Sequence, residues 1–141
     1  MRPSLTTTQT LADIVDVVSA AERRLTEALQ RIVEPEGCSL GAWRALRLLA
    51  DGGGHPMSEL IAHTLLAPPT ATRLVDGMVS DNLAFRVVDE RDRRRVLVYA
   101  TARGRALHKR LDERIRRETP TAVPQAPDDA TLDALRRIAD A

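Results

Sequence analysis

Aromatic residues are almost absent: Trp43, Phe85 and Tyr99 are the only ones in 141 positions. Modules that bind single-stranded nucleic acid stack bases on several aromatic side chains, so this scarcity argues against them. If the chain binds nucleic acid, a duplex, met through phosphates and groove edges, is the better match. Cysteine is scarcer still. Cys38 stands alone, which excludes an internal disulfide framework and a thiolate-rich metal site. One thiol can still sense oxidants, but a small apolar filler at the start of a helix is the commoner use. The chain has no apolar run of about 18 residues, the length of a membrane-spanning helix. Met1–Thr10 also lacks the apolar block of a signal peptide. A soluble, cytoplasmic protein is expected.

The signs of catalysis are equally thin. His55, His63 and His108 are scattered, there is no Gly-rich phosphate loop, and no carboxylate pair stands at motif spacing from a partner. His108 and Asp112, at i,i+4, come nearest to a metal-ligand spacing, which is more often a surface pair. The expectation is no enzyme, no cofactor and no metal.

What the chain does have is segregated charge. Its net charge is +1, yet residues 86–117 hold twelve Lys/Arg against five Asp/Glu, a local +7, leaving −6 for the rest. Charge needed only for solubility has no reason to collect this way, whereas a face laid on phosphates does. The densest part runs from Arg86 to Arg95, with five arginines and three acids. Phe85, Val87 and Val88 precede the charged tip and Val96 to Tyr99 follow it, so two β-prone segments carry it as a hairpin.

Helical periodicity organises the remainder. Leu11, Ile14, Val15, Val18, Ala21, Leu25, Leu29 and Ile32 form the stripe of a long amphipathic helix ending near Glu34-Pro35. Ser39 caps a second helix bearing Trp43, Leu46, Leu48 and Leu49, which Asp51-Gly-Gly-Gly-His-Pro56 breaks. A third helix spans Ser58 to about Leu65. A fourth begins at Pro68-Pro69, where proline is tolerated because first-turn N–H groups have no intrahelical acceptor. Its polar leading edge is Thr70, Thr72 and Arg73, and its apolar stripe is Leu74, Val75, Met78 and Val79. Two short helices in series suit a helix-turn-helix or a generic helical hairpin, and the charged hairpin that follows favours the former. Thr101 caps a helix to about Arg117. Thr119–Pro127, with three prolines, should interrupt it, and Asp128 or Asp129 then caps a last helix carrying Leu132, Leu135 and Ile138. The fold class is therefore mainly α with a small, two-stranded β wing. The apolar faces of the terminal helices must bury against each other or against a second copy, and a dimer is the economical solution.

Particular residues resemble a known family. Ser39-Leu-Gly-Ala-Trp43-Arg-Ala-Leu46, Ser58-Glu-Leu60, Pro68-Pro-Thr-Ala-Thr-Arg-Leu-Val75-Asp76, Asn82-Leu-Ala-Phe-Arg86 and Asp92-Arg-Arg94, followed by Val98, Thr101 and Gly104, look like the MarR family of winged-helix regulators. The resemblance implies a single domain over 1–141. Its winged DNA-binding core lies at 39–104, with dimerisation helices at 8–34 and 105–141. It also implies a homodimer on a pseudo-palindromic duplex, acting as a ligand-responsive repressor. It further implies a small effector, an aromatic or lipophilic acid, in a crevice between the DNA-binding and dimerisation parts, with Trp43, His63 and Arg44 as candidate lining and no ligand-binding residue assigned. By the same resemblance Arg94 is the wing-tip arginine that enters the minor groove, and Asp92 is the acid that orients it. Arg86 meets the phosphate backbone, while Thr70, Thr72 and Arg73 lead the recognition helix. Arg91, Arg93 and Arg95 enrich the wing. An alternative is a winged-helix protein–protein interaction module without DNA binding; the unpaired arginines disfavour it.

The chain also departs from the family pattern. Ala67 stands where a capping serine is common, and Leu65 where a turn glycine is common. Arg95 replaces a commonly small residue and Ala100 a usual leucine. With Pro68 and Pro69 removing two N–H donors, binding should lean harder on the wing and on Arg73.

Overall fold

The computed structural model describes residues 10–141. The sequence reading of Met1 to Gln9, including the first two residues of the expected dimerisation segment 8–34, lies outside the described residues. Helix α1 (Leu11–Val33) opens on a capping box in which Thr10 and Asp13 satisfy each other's backbone N–H. Its apolar stripe divides in two. Ala28, Ile32 and Val33 are buried, whereas Leu11, Ile14, Val15, Val18 and Leu25 are exposed.

A single 3-10 turn (Glu34–Glu36) ends on Gly37 at φ 72°, a left-handed conformation that glycine adopts without strain. Ser39 then caps α2 (Leu40–Leu49) by accepting the Ala42 N–H at 3.1 Å. There follow β1 (His55–Pro56), α3 (Met57–Thr64), α4 (Pro68–Ser80), β2 (Ala84–Val88), β3 (Val96–Ala100), α5 (Ala102–Ala122) and α6 (Asp129–Ala139). The architecture is mainly α with a small β wing, as the periodicity predicts.

Val33, Leu46, Leu49, Leu60, Val75, Val98 and Leu111 are buried to within about 1% of their surface and come from α1, α2, α3, α4, β3 and α5. Burying each such side chain contributes about 1.5–3 kcal/mol. One continuous core therefore sets where α4 and the wing stand.

Two elements differ from the sequence reading. The wing is three-stranded, in the order β1-β3-β2 and antiparallel throughout, with His55 opposite Val98 and Pro56 opposite Leu97. A two-residue strand has no period to detect, and Pro56 is tolerated because β1 lies at the sheet edge. Helix α5 also does not stop before Thr119; it carries Pro120 inside and closes where the Val123 N–H bonds the Thr119 carbonyl at 2.8 Å. Proline breaks a helix by removing the bond to residue i−4 and crowding that carbonyl. Here only two helical residues follow it, so little helix remains to be disrupted. Asp128 caps α6 by accepting the Thr131 N–H at 2.8 Å. Within the single chain Leu132, Leu135 and Ile138 of α6 stay exposed, so the terminal faces do not bury one another.

Candidate nucleic-acid interface

Helix α4 enters without a side-chain cap, since Ala67 has no acceptor and Pro68 and Pro69 occupy its first turn. Ala71, Val75 and Met78 seat it in the core. Thr70, Thr72 and Arg73 are all exposed. Thr72 is partly committed, because its hydroxyl donates to the Pro68 carbonyl at 3.0 Å. Arg73 borders a groove between α4 and the start of α2 that Ser39, Gly77 and Asp81 also line. Asp76 lies three residues on, on the same helical face as Arg73.

The turn before α4 holds a conformational cost. Leu65 adopts φ 59°, left-handed, at the end of α3, and is 78% exposed. This is the position where the resembled pattern has glycine, and the physical reason is plain: an L side chain is disfavoured there.

In the sheet, side chains alternate. Ala84, Val98 and Ala100 face the core, and Phe85 stacks on Tyr99 on the other face at 5.3 Å between ring centroids and 11° between planes. Arg86 shares the inward side with Ala84 and reaches α4, where its guanidinium pairs with the Asp76 carboxylate. Sequence reading missed this partner: one sequence shows no pairing across ten residues and two elements.

Two aspartates build the wing tip. Asp89 accepts the Arg91 N–H at 3.0 Å and Asp92 accepts the Arg94 N–H at 3.1 Å, each an Asx turn closing on the residue two ahead. The Asp89 N–H donates to the Arg95 carbonyl at 2.8 Å, and the Arg95 N–H to the Asp92 carbonyl at 2.9 Å. Asp92 also accepts from Nε of Arg94 at 3.2 Å. The hydrogen bonds from the Arg94 side chain and backbone hold the Asp92 carboxyl below its ordinary pKa, so it stays anionic. Arg94 is thus tethered at Nε while its side chain remains 91% exposed, with the far end of the fork free. Asp89 was missed as a turn former, although its spacing to Arg91 repeats that of Asp92 to Arg94. Among the described residues, Arg73, Arg91, Arg93 and Arg95 have no carboxylate within 4.0 Å.

Behind the wing, Thr101 ties three elements together. Its Oγ1 accepts the Gly104 N–H at 2.9 Å, capping α5, and donates to the Asn82 carbonyl at 2.6 Å. Gly104 lies so close to the chain before β2 that an added Cβ would meet the Leu83 carbonyl oxygen at 2.1 Å.

The remaining candidates are dispersed. Trp43 is partly buried beneath the Arg47 guanidinium, 5.5 Å from the ring centroid, and Arg44 donates to the Thr64 carbonyl at 3.3 Å. His63 is exposed; partial desolvation and the cations Arg47 and Arg44 pull its pKa down. Cys38 is buried, and desolvation pushes its thiol up to about 11, which suits a filler and not a redox sensor. Asp112 pairs with Arg116 at 3.1 Å. Among the described residues no helix is long and apolar enough to cross a membrane.

A model of the MarR family matches residues 37–95. Among curated proteins, the HTH-type transcriptional regulator FarR of Neisseria gonorrhoeae is 24% identical over 101 residues, covering 72% of this chain and 68% of FarR. Among solved structures, a mutant MarR from E. coli complexed with operator DNA superposes with a TM-score of 0.76 at 19% identity, covering 89% of this chain and 92% of that one. BpsR of Bordetella bronchiseptica, described for regulation of its DNA binding by 6-hydroxynicotinic acid, superposes at 0.78 with 21% identity, covering 91% and 94%.

Proposed function

We propose that this chain is a MarR-family winged-helix regulator and not an enzyme, the family model matching residues 37–95, and that it binds a pseudo-palindromic duplex as a homodimer and represses transcription in the cytoplasm. The leading edge of α4 enters a major groove with Thr70, Thr72 and Arg73, and the wing reaches the neighbouring minor groove with Arg94. Residues 39–104 supply the DNA-binding part; 8–34 and 105–141 supply the dimer contact.

One observation carries this reading. The Arg94 guanidinium is tethered at Nε by Asp92 yet almost wholly exposed, at a tip whose other arginines have no carboxylate near them. A tethered fork has already lost part of the freedom that binding would remove, and a narrow minor groove offers it negative potential. The exposed pair itself adds little stability, so the contribution of Asp92 is positional. Arg91, Arg93 and Arg95 add phosphate attraction, which offsets the N–H donors that Pro68 and Pro69 deny the helix.

Dimerisation follows from the uncovered faces. Leu11, Ile14, Val15 and Leu25 of α1 and Leu132, Leu135 and Ile138 of α6 are exposed in one chain. Exposed apolar faces on two terminal helices mark an interface, and a second copy supplies the matching faces by symmetry. Two α4 helices then address half-sites about one turn of duplex apart. A small aromatic or lipophilic acid releases the duplex by favouring a dimer whose α4 spacing does not match the operator.

Mass measurement in solution, alone and with duplexes recovered from fragmented genomic DNA, tests this. The expected result is a dimer that binds one duplex per dimer. A monomer, or a dimer that retains no duplex, contradicts it.

A further inference from the structure

His55 lies between two carboxylates. Its Nδ1 is 2.6 Å from Oε2 of Glu59, and its Nε2 is 2.9 Å from both carboxylate oxygens of Asp51. Asp51 ends the turn after α2, His55 opens β1 and Glu59 belongs to the first turn of α3, so one ring joins three elements. A neutral imidazole has a single N–H, which leaves one carboxylate facing a lone pair; the imidazolium donates to both. The ring is enclosed, with 13% of its side chain exposed.

We propose that His55 is a positioning residue for the wing: by bridging Asp51 and Glu59 it fixes β1 against β3, so that duplex binding depends on its protonation. This rests on the duplex-binding reading above. Strand β1 has only two residues, and Pro56 has no N–H to give the ladder, so its own pairing is weak. The bridge compensates, and its effect reaches the tip through close contacts. His55 pairs with Val98 and Pro56 with Leu97. The Tyr99 ring lies so near Gly54 that a Cβ there would meet it at 2.5 Å. Tyr99 in turn stacks on Phe85, and β3 begins directly after Arg94 and Arg95.

The surrounding charges favour the cation. Burial works against it, but hydrogen bonds to Asp51 and Glu59, and then their charges, outweigh burial and raise the His55 pKa above its ordinary 6.5. Asp51 is held low by its bond to His55 and by the Gly53 N–H. Farther along α3, His63 shifts the other way under burial, Arg47 and Arg44 of α2, and the charge of His55. On β3 the residue opposite His55 is the apolar Val98, and the Tyr99 hydroxyl lies over Gly54. A raised folded-state value means that the bridge contributes fully below the unfolded-state pKa and is lost as pH rises through the folded one. Duplex binding should therefore weaken on the alkaline side.

The test is duplex affinity at constant ionic strength from about pH 6 to about pH 9, spanning imidazole titration, for the wild type, His55→Gln and His63→Gln. The wild type should weaken several-fold, His55→Gln should bind at the alkaline wild-type level with a flat profile, and His63→Gln should keep the wild-type profile. A His55→Gln profile identical to the wild type's overturns the proposal, as does wild-type binding that is strong and flat with pH. Absence of duplex binding at every pH overturns the DNA-binding reading itself. If His55→Gln does not fold, Asp51→Asn replaces it, with the imidazole titration followed by NMR: a lowered midpoint with weaker duplex binding supports the bridge, and an unmoved midpoint refutes it.

Discussion

Arg86 of β2 and Asp76 of α4 form an ion pair that joins the wing to the helix beside it. The family resemblance sends Arg86 to the phosphate backbone, and in this chain the same guanidinium already has a carboxylate partner. Both groups are partly exposed, so the pair is worth less than about 1 kcal/mol to the fold. Asp76→Asn should therefore unfold within about 1 kcal/mol of the wild type by denaturant titration. Arg86→Ala should weaken binding to all duplexes alike and lower the salt dependence by about one counterion. An unchanged salt slope would remove Arg86 from the phosphate contacts.

Arg94→Ala should cost at least about tenfold in specific duplex affinity, with the dimer and the thermal midpoint unchanged, because the side chain touches no core. Asp92→Asn should fall between that variant and the wild type, since it keeps an acceptor for the Asx turn but loses the charge that tethers Nε. Fluorescence anisotropy on one labelled duplex measures both. Equal affinities for all three proteins would mean that the tip does not enter the interface.

Gly104→Ala should destabilise the fold by about 3 kcal/mol or more, because its methyl would collide with backbone and not with a side chain able to rotate away. Thermal or urea unfolding reads this, and a loss below about 1 kcal/mol would place the helix farther from Leu83 than the geometry has it.

Leu65→Gly should stabilise by up to about 1 kcal/mol. Relief of a left-handed φ, worth about 1–2 kcal/mol for an L residue, exceeds the extra entropy that glycine loses on folding. The side chain is exposed, so its removal forfeits little burial. A lower melting temperature for the variant would contradict this.

Much of the fold was legible because its signals are local. Ser39, Thr101 and Asp128 each stand three residues before the N–H they accept, and Gly104 completes the cap of α5. The clustered arginines of residues 86–95 identify the wing as a charged tip between β-prone runs. What escaped the sequence is non-local or too short. Strand β1 is defined only by its partner β3, the Asp76–Arg86 pair spans a helix, a turn and a strand, and the His55 bridge crosses three elements that periodicity treats separately. Pro120 misled for the opposite reason: a strong local rule was applied to a position so near the helix end that little helix remained to break.

Duplex binding through a tethered, arginine-rich wing and the leading edge of α4 is an electrostatic contact with phosphates, so its strength should track salt. Duplex affinity measured across a salt series tests it most directly, in the wild type and in a variant with Arg91, Arg93 and Arg95 changed to alanine. Log affinity should fall linearly and steeply with log salt in the wild type, and the variant should bind more weakly at low salt with a shallower slope. Wild-type affinity that does not change with salt, or identical slopes for the two proteins, would contradict it.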